Sequence, residues 1–369
     1  MVTHSPAPRA VAHTGAATGA GEVLITGAAG FIGGHVARAC HDAGWTVTGL
    51  DVRALPPPLH GFARQVQGQA DDPAVLRDVR AGRYHAVVHQ AAITSTLASD
   101  WSLLRDINIR QPLELASACA VSGTIFIYAS SHSVYGTMHQ RRAAVEGCET
   151  APSICTGPLN LYARSKLELD AAMAARQACG QPPWTGLRYT NVFGPGESHK
   201  GPMASIISQL LRKSADGENI HLFSDTLQAC RDYIPVHVVA DVIVKILHRP
   251  VPSGIYNLGS GQPVAFATLL EWCAEFSGSG PAVLLVPNPV ADRYQYWTCA
   301  DLAKIKSSLP ELRLPAAEDI HRAAEILFRQ FQADSEERAG RPGTQHRAAA
   351  SRPPVPSRQR KLSDMNEVD

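Results

Sequence analysis

The sequence has no stretch approaching the roughly 20 consecutive apolar residues that a membrane-spanning helix needs. It also has no excess of either charge: 34 basic residues meet 33 acidic ones, for a formal net charge of +1. That balance removes the electrostatic case for nucleic acid or an anionic membrane as the main partner. Its 8 cysteines stand singly, with no C-x-x-C pair and no Cys/His cluster at metal-ligand spacing. They read as reduced residues of a cytoplasmic protein, so neither a disulfide framework nor a metal site is expected. Residues 1–20 are rich in Ala, Pro, Thr and Gly and lack the apolar core of a secretion signal. They are expected to be a disordered head. Residues 334–369 turn polar, with Pro, Arg and Ser throughout and no periodicity, and are expected to be a disordered tail. No internal repeat is visible.

Between those ends the pattern is strand, turn, helix, repeated. Glu22-Val23-Leu24-Ile25-Thr26 is a short apolar run suited to a buried parallel strand. It enters Gly27-Ala28-Ala29-Gly30-Phe31-Ile32-Gly33 and then an amphipathic stretch. In this context the glycines let a pyrophosphate approach the backbone, and the helix start supplies free N–H groups. A second strand, Thr46 to Leu50, ends in Asp51, the kind of acid that receives an adenosine ribose. Asp51 argues for NAD and Arg53, two residues on, for NADP, so the cofactor's phosphate stays open. Further strands are expected near 65–69, at Tyr84 to His89, at Thr124 to Tyr128 and at Pro183 to Thr190. Gln90-Ala91-Ala92 follows the fourth strand and leaves room for a cofactor, while His89 reads as a structural histidine. The expected fold is α/β: a doubly wound parallel sheet over 21–190, then a smaller substrate-binding lobe over 191–333 that interleaves with the end of the sheet.

Tyr162 and Lys166 sit four residues apart, so a helix puts them on one face. A phenol holds its proton to a pKa of about 10, and a nearby ammonium would bring it toward the working range of a general acid/base. The spacing alone also suits two residues on a helix surface. The glycine turn and the hydroxyl-rich strand end Ser130-Ser131 upstream favour the chemical reading.

T-G-A-A-G-F-I-G, S-S-x-x-V-Y-G, Y-x-x-x-K and R-Y-x-N-V-F-G-P together resemble the extended short-chain dehydrogenase/reductase superfamily, over about Gly21 to Gln330. Three later segments resemble the ADP-glyceromanno-heptose 6-epimerase family: G-P-G-E-S-H-K-G-P-M-A-S (Gly194 to Ser205), S-G-I-Y-N-L-G-S-G (Ser253 to Gly261) and R-Y-Q-Y-W-T-C-A-D-L (Arg293 to Leu302). The resemblance implies a nucleotide-sugar epimerase that oxidises its substrate transiently and returns the hydride. It implies Ser131 as the orienting hydroxyl, Tyr162 as acid/base, Lys166 as the group that holds the nicotinamide ribose and lowers the phenol's pKa, and Lys200 as a second acid/base across the sugar. Cofactor contacts are implied for Gly27, Gly30, Phe31, Ile32, Gly33, Asp51, Arg53, Gln90, Ala91, Ala92, Asn108, Lys166, Val192 and His199. Asn191, Met203, Phe223, Arg231 and Tyr294 would join Ser131 around the substrate. The resemblance leans toward NADP over NAD and implies a homo-oligomer.

Departures stand beside these matches. Pro202 replaces a serine, Gln209 a histidine and Val238 an aspartate; Ser224 to Cys230 differs, and residues 139–148 look inserted. Other nucleotide-sugar chemistries therefore stay open: 4-epimerisation, 4,6-dehydration or 4-reduction. Against dehydration, the slots after Ser131 hold His132 and Ser133 rather than an acidic pair. A non-catalytic dinucleotide sensor is the reading from another class, and such proteins usually lose the tyrosine or lysine that this chain keeps.

Overall fold

The computed structural model describes residues 20–177 and 183–340. The expected head, apart from Ala20, and most of the expected tail lie outside the described residues.

Twelve strands are described: β1 (Ala20–Thr26), β2 (Trp45–Asp51), β3 (Ala63–Gln67), β4 (Ala86–His89), β5 (Ile125–Ser131), β6 (Trp184–Tyr189), β7 (Asn191–Phe193), β8 (Ile220–Phe223), β9 (Cys230–Pro235), β10 (Gly254–Leu258), β11 (Pro263–Ala265) and β12 (Val283–Val286). Seven form one sheet in the order β3-β2-β1-β4-β5-β6-β10, and every pairing in it is parallel. Val23, Leu24 and Ile25 are fully buried, as an apolar run covered on both faces must be. The chain leaves β1 in one direction toward β3 and in the other toward β6, so the crevice between β1 and β4 is the switch point where such sheets bind ligands. Register places Thr26 level with Leu50 on β2 and with His89 on β4. The glycine turn, Asp51 and Gln90 therefore emerge at one edge.

Helices cover both faces: α1 (Phe31–Asp42), α2 (Pro73–Arg80), α3 (Trp101–Arg105), α4 (Gln111–Ser122), α5 (Leu161–Gln177), α6 (Ile206–Ala215), α7 (Val236–His248), α8 (Phe266–Ser277), α9 (Ala303–Ser308) and α10 (Ala317–Gly340). α1 packs on α7 on one side and α2 on α4 on the other. Between α3 and α4 the helix widens into a π turn at Asp106–Arg110. Pro112 has no N–H to continue the regular ladder, which accounts for the widening. β10 and α7 come from the second half of the chain yet complete the first half's sheet and helix layer. The rest of that half has its own core, in which Phe193, Tyr233, Phe266, Phe276 and Phe328 pack together. Two small sheets, β11-β9-β7 and β12-β8, lie there.

The expected tail boundary at 334 is corrected: α10 runs on to Gly340. Asp334 receives Arg212 at 3.1 Å and Arg338 reaches Asp216 at 2.7 Å, so the last turns are tied to α6. A polar surface without an apolar stripe hid that attachment.

Candidate functional site

A cavity of about 540 Å3 opens at the switch point, lined by the glycine turn, Asp51, Arg53, Gln90, Ala91, Ala92, Tyr162, Lys166, His199 and Lys200 among others. Gly27 has φ +69°, and a Cβ there would lie 2.7 Å from the Ala91 nitrogen. A Cβ on Gly33 would run into the Gly27 carbonyl oxygen. The turn is thus packed against itself and against the β4 exit, which only glycine allows. No side chain caps α1, so its first N–H groups remain for an anion. Asp51 ties the edge together: its carboxylate accepts from the Ala29 and Arg53 backbone nitrogens, each at 3.0 Å. The Arg53 guanidinium is 3.4 Å from the same carboxylate and is mostly exposed. Gln90 accepts from the Tyr189 hydroxyl at 3.2 Å, while its buried Nε2 has no protein partner. A helix start without a cap, a glycine cradle and a buried unpaired amide donor at the cavity wall fit a dinucleotide.

On α5, Tyr162, Lys166 and Asp170 follow at i, i+4 and i+8 and face the strand ends. Lys166 is 2% exposed and donates to the Ala129 carbonyl at 2.8 Å. Burial pulls its pKa down to about 8, against the Asp170 charge. Burial raises the Tyr162 phenol, a hydrogen bond to Ser131 opposes the rise, and the Asp170 charge adds to it. The expected depression of the phenol by Lys166 is thus not what the protein groups alone produce. One hydrogen of the Lys166 ammonium goes to the Ala129 carbonyl, and burial dominates the phenol. Ser131 also shares a 2.8 Å hydrogen bond with Ser133. Asp170 is held by Tyr128 (2.9 Å), Ser130 (2.9 Å) and Arg188 (2.8 Å), and Arg188 continues to Glu149 at 2.8 Å. His89 is neutral: burial and the Lys166 charge hold it down to about 3, and it bonds Thr26 at 2.8 Å.

Lys200 lies in a 3-10 turn, Glu197–Met203, that brings it to the cavity together with His199. Its ammonium is 3.0 Å from Glu197 and 5.5 Å from the centre of the Phe31 ring. His199 shares a 2.7 Å hydrogen bond with the Gly196 carbonyl.

Other expected site residues are placed differently. Asn108 does not line the cavity: its amide holds the Ile93 N–H and carbonyl and the Ser165 hydroxyl, so it fixes the β4 exit to α5. Val192 is buried in the core, in register with Ile234. Asn191 donates to the Asp232 carbonyl (3.1 Å) and to Thr298 (3.3 Å), bracing β7. Phe223, Arg231 and Tyr294 gather in the lobe, with the Arg231 guanidinium 5.2 Å over the Tyr294 ring and Phe223 edge-on to it at 6.0 Å. Met203 is half-buried at the end of the Lys200 turn.

Glu197, Asp170 and Tyr189 were missed. Glu197 and Asp170 had usable signals: one precedes Lys200 by three residues, the other follows Lys166 by four. The segment read as inserted is pinned: Ala144 donates to Cys299 at 2.8 Å, and Glu146 accepts from the Asn257 N–H at 2.6 Å.

The model of the NAD dependent epimerase/dehydratase family matches residues 23–259. Among solved structures, the Helicobacter pylori ADP-L-glycero-D-manno-heptose-6-epimerase is 26% identical, covering 85% of this chain and 97% of its own, with a TM-score of 0.74. The Thermus thermophilus UDP-glucose 4-epimerase, solved with NAD, is also 26% identical, covering 84% and 99%, with a TM-score of 0.69. The Methanobrevibacter ruminantium UDP-N-acetylglucosamine 4-epimerase shares the fold at 22% identity, covering 86% and 99%, with a TM-score of 0.74.

Proposed function

The chain belongs to the NAD dependent epimerase/dehydratase family, and from that premise we propose that it is a nucleotide-sugar epimerase of the ADP-glyceromanno-heptose 6-epimerase kind. One observation carries the reading: Tyr162, Lys166 and Lys200 reach the same cavity as the glycine turn. When bound there, the nicotinamide supplies a reversible hydride acceptor. Gly27, Gly30 and Gly33 would hold its pyrophosphate, Asp51 its adenosine ribose, and Lys166 the ribose beside Tyr162.

The chain's own groups then handle protons. Tyr162 takes the proton of the substrate hydroxyl as a carbonyl forms on the sugar, and Ser131 orients that oxygen. Lys200 stands ready to donate to the carbonyl oxygen after it has swung to its other position. The bound nicotinamide would supply the hydride's return to the opposite face, so that the inversion involves no net redox change. The cluster of Phe223, Arg231 and Tyr294 would receive the nucleotide, with Arg231 facing its phosphates. Against dehydration, the positions after Ser131 carry no carboxylic acid: Ser133 is bonded to Ser131, and buried His132 shares a 3.2 Å hydrogen bond with the Cys299 carbonyl. Free thiols at seven cysteines among the described residues suit a reducing cytoplasm, and a homo-oligomer is part of the same reading. NAD and NADP are both admitted, because Asp51 disfavours a 2′-phosphate and Arg53 offers it a partner.

The test is proton NMR of isomer exchange with ADP-glyceromanno-heptose, UDP-glucose and UDP-N-acetylglucosamine, repeated with Lys200→Met. The reading predicts exchange of the ADP-heptose and a fall in kcat of roughly 100-fold or more in the variant. Exchange of a UDP-sugar alone would favour the 4-epimerase reading. A raised KM with kcat kept would make Lys200 a binding group.

A further inference from the structure

Glu197 opens the turn that carries Lys200, and its carboxylate is 1% exposed. Four donors converge on it. One oxygen accepts from the Ser205 backbone N–H at 2.7 Å and from Lys200 at 3.0 Å; the other accepts from the Ser205 hydroxyl at 2.8 Å and the Ser208 hydroxyl at 2.6 Å. Ser205 is the N-cap of α6 and Ser208 lies in its first turn. The carboxylate is therefore fastened to a packed helix.

Lys200 has no such anchor of its own. Gly201 directly after it breaks the turn at φ 53°, and where the lysine's head points is set by its own side-chain torsions, each with several staggered wells. A long lysine stem loses rotamer entropy when held in one place, and a group must be in place before the reaction to help it. Of its three donor hydrogens, one is engaged by Glu197. Two remain for the cavity side.

We propose that Glu197 is the positioning residue for Lys200: it takes one ammonium hydrogen and sets the lysine at the cavity wall beside Phe31, without touching substrate. The functional part of this inference rests on the epimerase reading. Its geometric part does not.

The test has two arms. In the first, lysines are reductively methylated with 13C-formaldehyde, and the Lys200 signal is assigned by its absence in Lys200→Arg. The inference predicts a resolved signal that moves to the free-lysine position in Glu197→Gln. It predicts the same movement in Glu197→Asp, whose shorter side chain cannot span α6 and the lysine, and this variant serves if the glutamine form does not fold. An unmoved signal overturns the proposal, whatever the substrate proves to be.

The second arm is a double-mutant cycle on the nucleotide sugar that the wild-type protein turns over. Glu197→Gln should move whichever of kcat or KM Lys200→Met moves, by about 5- to 50-fold, and should add nothing in the Lys200→Met background. An equal loss in both backgrounds would mean that Glu197 serves only the fold of the turn. That result overturns the proposal while leaving the epimerase reading standing.

Discussion

Gly30 and Gly33 stand three residues apart in one turn, yet they would tolerate a side chain differently. A Cβ on Gly33 meets the Gly27 carbonyl oxygen, whereas one on Gly30 would lie 3.1 Å from that oxygen and 3.9 Å from the Arg53 guanidinium. Gly30 also has an ordinary extended backbone, φ −86° and ψ 172°. Gly30→Val should therefore still fold, with a modest drop in melting temperature because the Gly27 carbonyl has to give way slightly, and lose dinucleotide affinity by roughly 100-fold or more, because the ligand needs that space. Fluorescence titration with NADH, beside a melting curve, checks both halves. Lys166 gives a second residue-scale prediction. Its native pKa of about 8 lies below its unfolded value of about 10.5. Between those values the unfolded chain binds more protons, so wild-type stability should gain about 2 kcal/mol relative to Lys166→Met as pH rises from 7 to 10. Denaturant melts of both proteins at the two pH values measure it, and a constant difference would refute the buried, proton-shedding lysine. At this scale the sequence was most readable where partners are close along the chain. The glycine turn, Asp51 and the Tyr162/Lys166 pair are local patterns with local reasons. Arg188, Asp170 and Glu149 are not: the arginine lies 18 residues from one acid and 39 from the other. Only the folded sheet brings them together.

At the scale of elements, α5 shows why periodicity alone was an incomplete guide. One face carries Tyr162, Lys166 and Asp170, and others bury Ala163, Leu169 and Met173, so the helix has no single apolar stripe. Its candidate pair, Tyr162 and Lys166, was picked out by spacing rather than by amphipathicity. α10 shows the converse. Its end looked like tail because attachment depends on charged groups, Asp334 with Arg212 and Arg338 with Asp216. Arg212 also donates to Ser198 at 3.2 Å and lies 3.9 Å over the Phe331 ring, so the end of α10 is linked to the turn that carries Lys200. A chain ending at Ala333 should melt about 1–4 °C below one ending at Gly340, since exposed ion pairs contribute up to about 1 kcal/mol each. Equal melting temperatures would mean that these turns carry no stability.

At the scale of the whole molecule, the cavity belongs to neither half alone. The parallel sheet supplies the glycine turn, Asp51 and Gln90, and α5 supplies Tyr162 and Lys166. The turn after β7 brings His199 and Lys200 across to them. The places of the first six strands along the chain were legible because each βα unit repeats the same apolar run and polar turn. The return of β10 to the sheet was visible only as interleaving, since Ile255 to Leu258 reads the same in a lobe as beside β6. The gathering of Phe223, Arg231 and Tyr294 in the lobe was least legible, because they come from three separate segments. The central claim is that a phenol at this cavity does acid/base work on a substrate whose hydride passes to a bound nicotinamide. The most direct measurement is turnover of the accepted nucleotide sugar by Tyr162→Phe at the same dinucleotide occupancy as the wild-type protein. The account predicts a loss of roughly 100- to 10,000-fold in kcat with dinucleotide binding nearly unchanged, and near-wild-type turnover at full occupancy would contradict it.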